Sequence, residues 1–181
     1  MKFGVIGAGR IGKIHGGNIA ARGDTRVAYV ADADVAAAKA LADSTGAQAA
    51  SVEEIIDSHA VDAVAICSPT DTHADLIERA ARAGKAIFCE KPIDLDANRI
   101  RKCLEVVRSA GATLMIGFNR RFDSNFATLR KRVAVPACGA VVSLIGASLP
   151  GDFGRRRSSA RAGKNETKIL FTSQDGMYIL F

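Results

Sequence analysis

The segment that most constrains this chain is Gly7-Ala8-Gly9-Arg10-Ile11-Gly12, which follows directly on the apolar run Phe3 to Ile6. A strand that runs into three glycines at this spacing turns sharply into a helix. Gly7 permits the tight turn, Gly9 lets backbone amides approach a pyrophosphate, and Gly12 lets the helix pack close. The helix N-terminus favours the negative charge, and Arg10 and Ile11, inside the same loop, are counted with the cofactor contacts. Asp32 ends the second apolar run, 20 residues after Gly12. A carboxylate there accepts both ribose hydroxyls and repels a 2′-phosphate, and Ala33 offers no arginine to hold one. NAD is therefore expected over NADP. Two other readings stand beside it: a glycine-rich turn that binds nothing, and a Rossmann-like methyltransferase whose acidic residue holds another ribose.

Beyond the loop, short apolar runs alternate with helical patterns up to about residue 118, as in a parallel α/β sheet. Strands are predicted at residues 2–6, 26–31, 47–50 (weakly), 61–67, 86–89 and 112–117. Asp34 caps a helix to about Ser44 with Gly46 beyond it, and Ser51-Val52-Glu53-Glu54 has the spacing of a capping box. Asp71 or Thr72 opens the next helix, which Gly84 ends. Asp94 or Asp96 opens a longer one, ended by Gly111, and a further helix is predicted from Phe122 to Val133. The fold class is α/β, a doubly wound parallel sheet in the order 3-2-1-4-5-6, followed by the start of a second domain. The division falls at 1–120 and 121–181.

Two further motifs fall on the ligand edge of such a sheet. Ser68-Pro69-Thr70, with Thr72 and His73, ends the fourth strand and either lines the nicotinamide-ribose region or forms a proline turn before a helix. Glu90-Lys91-Pro92 ends the fifth strand. A lone lysine is usually solvated, but Lys91 follows an apolar strand and Pro92 shapes the turn that aims it. A partly desolvated amine there can polarise a substrate oxygen or move a proton, while Glu90 holds the geometry or contacts the cofactor. His15 reads as packed or at the solvent edge, His59 as a surface residue, and no histidine and carboxylate spacing suggests a metal.

The net charge of +6 raises the question of a nucleic-acid partner. Residues 152–168 carry six basic and two acidic groups, so one Gly/Ser/Arg-rich segment accounts for +4 of it. That segment reads as solvated chain, part of it disordered, rather than as a binding arm. Residues 133–151 lack charge, yet two prolines and three glycines argue for a buried strand at Ala140 to Ile145 instead of a membrane span. The four cysteines form no Cys-x-x-Cys pair, and Cys67 and Cys89, which close apolar runs, read as structural thiols of a reducing cytoplasm. No secretory signal is expected from the first residues.

Taken in order, Gly7-Ala8-Gly9-Arg10-Ile11-Gly12, Ser68-Pro69-Thr70-Asp71-Thr72-His73, Glu90-Lys91-Pro92 and Gly117-Phe118-Asn119-Arg120-Arg121-Phe122 resemble the Gfo/Idh/MocA oxidoreductases, inositol 2-dehydrogenases above all. The resemblance covers about residues 1–135. It implies a Rossmann domain followed by an α/β domain with a large open sheet, through which family members form homo-oligomers. It also implies NAD-dependent oxidation of a cyclitol or sugar hydroxyl to a ketone. Lys91 would be the catalytic residue, and Arg120 would lie near cofactor and substrate. The family's aspartate and histidine of the second domain fall on Leu170 and Gln174, which can neither orient an imidazole nor exchange a proton. The chain thus reads as a family oxidoreductase with a truncated or disrupted second domain, or as a dinucleotide-binding module without catalysis.

Overall fold

Six parallel strands in the order β3-β2-β1-β4-β5-β6 form the sheet of the first unit. They are β1 (Lys2–Ile6), β2 (Arg26–Ala31), β3 (Gln48–Ala49), β4 (Ala63–Ile66), β5 (Ala86–Cys89) and β6 (Leu114–Ile116). The computed structural model describes residues 1–133, 171–172 and 178–179. The chain divides into two compact units, Met1–Asn119 and Arg120–Phe181. In the first, β1 pairs with β2 on one side and β4 on the other, so Ile6 lies opposite both Ala31 and Ile66. Strand order reverses at this point, and such sheets open a ligand crevice there.

Both faces of the sheet are covered, which is why its central strands are apolar throughout. All four residues of β4 are buried. Side chains alternate between the two faces along each strand. Val5 and Ala65 join a cluster with Leu41 and Ala42 of α2 (Val35–Thr45). Ile6, Val64 and Ile66 join the other, with α3 (Val52–Asp57), α4 (His73–Arg82) and α5 (Ala97–Ser109). Gly4 is dictated by that packing, since a Cβ there would come 2.2 Å from Ile55 Cγ2.

The helix ends follow local chemistry. Asp34 accepts the Ala36 and Ala37 amides, Asp96 the Asn98 amide, and Ser51 with Glu54 completes the capping box. Gly46, Gly84 and Gly111 each take a left-handed conformation past a helix end. Thr72 is the N-cap residue of α4, as expected, though its side chain caps nothing: its hydroxyl donates to the Pro69 carbonyl, and Thr70–Thr72 is a 3-10 turn. One expected start is corrected. The last described helix, α6, spans Ser124–Val133 instead of starting at Phe122, because Asp123 accepts the amides of Asn125 and Phe126.

The described part of the second unit also contains the antiparallel pair β7 (Phe171–Thr172) and β8 (Tyr178–Ile179). The expected strand at Ala140 to Ile145, the segment 152–168, and Leu170 and Gln174 lie outside the described residues. Among the described residues no helix is long and apolar enough to cross a membrane.

Candidate active site

Four loops leave the sheet at its carboxyl edge, each tied to a neighbouring strand by the first residue of the loop. The amide of Gly7 donates to Ala31 O at 2.8 Å, Cys67 to Ile6 O at 2.7 Å, Glu90 to Ile66 O at 2.9 Å and Gly117 to Cys89 O at 2.8 Å. The pairing of the sheet therefore continues one residue into each loop, and the motifs of those loops start from fixed positions.

In the glycine loop, Gly7 adopts φ 101°, and a Cβ there would lie 2.5 Å from the Cys67 carbonyl carbon and the Ser68 nitrogen. A Cβ on Gly12 would fall 1.8 Å from Gly7 O. These two glycines are required by the loop's own closure. Gly9 differs, because nothing lies within 4 Å of its Cβ position. It is the N-cap of α1 (Arg10–Ala20), and no side chain caps that helix. Arg10 is exposed and Ile11 half-buried. The residues present thus fit a dinucleotide pyrophosphate. Asp32, expected as the ribose acceptor, also braces the loop: one carboxylate oxygen accepts the Ala8 amide at 2.5 Å, the other the Asp34 amide at 2.8 Å.

After β4, Ser68 and Thr72 share a hydrogen bond of 2.6 Å. Thr72 gives its proton to the Pro69 carbonyl, so Ser68 is the donor within the pair. Thr70, half-buried, starts the 3-10 turn behind the exposed Pro69. His73, expected among the cofactor contacts, needs correcting. It is 2% exposed. Its Nδ1 lies 2.7 Å from Pro92 O and its Nε2 2.8 Å from Ser68 O. Both ring nitrogens are committed to backbone, and the imidazole ties the β4 loop to the β5 loop from beneath the edge.

Glu90 and Lys91 are half-buried, and the Lys91–Pro92 bond is cis. Glu90 Oε1 accepts from His15 Nε2 at 2.7 Å, and Oε2 from the Lys91 amide at 3.3 Å. The bond from His15 is the main cause that the Glu90 carboxyl sits below the usual carboxylate range. Burial acts the other way, and the Lys91 amide and charge add to the lowering. His15, expected to be packed or at the solvent edge, is half-buried against Phe88 and also joins α1 to the Lys91 loop. Burial pushes the Cys67 thiol up to about 12, with the nearby Glu90 charge adding to it, so this cysteine stays protonated at neutral pH.

Arg120 belongs to the second unit, where its guanidinium stands 5.2 Å from the Phe126 ring centroid. Among the described residues no group of three or more His, Cys, Asp and Glu side chains is arranged to hold a metal ion.

Residues 1–118 match the family model described as an oxidoreductase family with an NAD-binding Rossmann fold. The chain is 56% identical over 133 residues to inositol 2-dehydrogenase of Rhizobium meliloti, which covers 74% of this chain and 40% of that protein. It is 38% identical over 135 residues to myo-inositol 2-dehydrogenase of Thermotoga maritima, again covering 74% and 40%. Among solved structures it is similar to scyllo-inositol dehydrogenase from Lactobacillus casei with bound NAD(H) and scyllo-inositol. That likeness has a TM-score of 0.68 at 31% identity, over 74% of this chain and 40% of the other. The chain therefore spans about 40% of the length of these relatives.

Proposed function

Because the chain belongs to the Gfo/Idh/MocA oxidoreductase family, we propose that it acts in NAD-dependent oxidation of a cyclitol or sugar hydroxyl to a ketone, inositol being the first candidate. NAD supplies the hydride acceptor when bound. Gly7, Gly9, Arg10, Ile11 and Gly12 hold its pyrophosphate and Asp32 its adenosine ribose. Ser68, Pro69, Thr70 and Glu90 border the nicotinamide half, and Arg120 belongs to the same proposal. Lys91 is the catalytic residue: its amine takes the hydroxyl proton as the C–O bond becomes a carbonyl. Residues 121–181 would form the start of the substrate domain. The free thiols Cys67, Cys89 and Cys103 suit a cytoplasmic setting.

The observation that carries this reading is the 2.7 Å bond from His15 to Glu90, which links the cofactor helix to the lysine loop across the switch point. Its test is a titration with NADH, followed by turnover with myo-inositol and NAD. Saturable binding is expected, with Lys91→Met keeping binding and losing turnover. A folded chain that shows no saturable binding overturns the proposal. A second reading, a dinucleotide-binding module without turnover, is favoured by one fact. Every proposed cofactor residue except Arg120 lies in the first unit. Binding without turnover on any polyol tried would select it.

A further inference from the structure

We propose that His15 is a positioning residue for Lys91, acting through Glu90; the inference rests on the functional reading above. Glu90 is held on three sides. Its Oε1 receives the His15 Nε2–H at 2.7 Å, and its Oε2 receives the Lys91 amide at 3.3 Å. On the third side is Gly117, where a Cβ would come 3.0 Å from Oε1 and 3.1 Å from the carboxyl carbon. The backbone of Glu90 is fixed as well, through its amide to Ile66 O. A carboxylate with both oxygens engaged transmits the position of one partner to the other.

His15 is itself fixed. Its ring stands edge-on to Phe88, with centroids 4.7 Å apart and planes at 61°, and the histidine and glutamate side chains are only 27% and 20% exposed. At such exposure a charge-assisted hydrogen bond keeps much of its strength. His15 lies in the second turn of the helix whose N-cap is Gly9. A displacement of α1 therefore reaches the backbone of Lys91 through two hydrogen bonds. Among the described residues, the titratable groups around Glu90 are His15, Lys91, Cys67 and Cys89. Among these, His15 is the one that gives the carboxylate a side-chain hydrogen bond. Truncating it leaves Oε1 without that donor, and Lys91 loses the restraint that passes through Oε2.

The test compares His15→Phe with His15→Gln, whose amide N–H restores a donor, in the chain without cofactor. The rate at which Lys91 is acetylated by a small reagent is read by mass spectrometry, and the Glu90 titration midpoint by carboxyl carbon NMR. In His15→Phe the Lys91 rate should change by about fivefold, the low end of ordinary site-to-site coupling. The Glu90 midpoint should rise, since the bond that chiefly holds it low is gone. In His15→Gln both should return towards wild type. Circular dichroism confirms the fold, and His15→Gln serves where His15→Phe misfolds: wild-type values in Gln support the role. An unchanged Lys91 rate in folded His15→Phe overturns it, as does a Gln variant no better than Phe. Failure of the wild type to bind NADH would sink the functional reading instead, leaving the His15 comparison decided by its own measurements.

Discussion

His73 Nδ1 stands 2.7 Å from the carbonyl oxygen of Pro92, while its Nε2 stands 2.8 Å from that of Ser68. Two carbonyl oxygens can only accept. A neutral ring has one N–H and serves one of them; a doubly protonated ring serves both. In either state the histidine bridges two loops that are separate in sequence.

Removing this bridge should cost stability without emptying a ligand site. His73→Leu keeps the apolar bulk and leaves at least one of the two carbonyls without its donor, a loss of about 1–3 kcal/mol by the usual cost of unsatisfied buried groups. Urea unfolding measures it. A variant as stable as wild type would show that water or a shift of the loops replaces the ring.

Gly9 and Gly12 should separate binding from folding. Gly12→Ala drives a methyl into Gly7 O, where the clearance is 1.8 Å, and should destabilise the fold by about 1–3 kcal/mol as an overpacked site does. Gly9→Ala meets nothing within 4 Å, so its unfolding midpoint should match wild type. Its NADH dissociation constant should rise about tenfold, corresponding to roughly 1.4 kcal/mol, because the methyl occupies the space open to the pyrophosphate. Equal NADH affinity in Gly9→Ala and wild type would place the phosphates elsewhere.

Asp32 braces the loop, and the proposed ribose contact would be a second duty that its variants test. Asp32→Asn retains an oxygen for one of the Ala8 and Asp34 amides and removes the negative charge. NADPH binding should improve relative to NADH by about tenfold, the scale of a like charge removed from a phosphate site. The loop should lose part of its brace, visible as a lower Tm. An unchanged NADH to NADPH ratio would argue that Asp32 serves the loop alone.

The carboxyl of Glu90, held low chiefly by His15, gives a pH dependence of known sign. Its folded pKa is depressed, so the stability it contributes is complete above the ordinary glutamate value of about 4.3. That contribution is lost as pH falls through the lower, folded pKa. Stability curves of wild type and Glu90→Gln should therefore be separated at pH 6 and converge in the acid range. Curves that stay parallel down to pH 3 would contradict the shift.

Much of the frame could be read locally. Asp34, the Ser51–Glu54 capping box, Asp96 and the left-handed glycines each act within a few residues of their own helix, and the strand runs are apolar on both faces. The weak run at 47–50 became the two-residue β3, which pairs with β2. What escaped was contact through space. His15 and Glu90 are 75 residues apart in sequence, and no pattern along the chain announces their bond. His73 looked like a ligand because it follows hydroxyl residues on the ligand edge; its burial depends on Pro92, 19 residues on. Thr72 sits where a cap belongs, yet Pro69 offered its hydroxyl a nearer acceptor.

The amides of Gly7, Cys67, Glu90 and Gly117, each bonded to the last carbonyl of an adjoining strand, have a further consequence. Loop amides ordinarily exchange with solvent deuterium far faster than those of a core strand. These four are loop residues by position and sheet residues by bonding, so each can exchange only when its strand pair opens. The reactive edge is thus as slow to breathe as the interior it caps, and a ligand arriving there meets groups already set in place, with little ordering left to pay for.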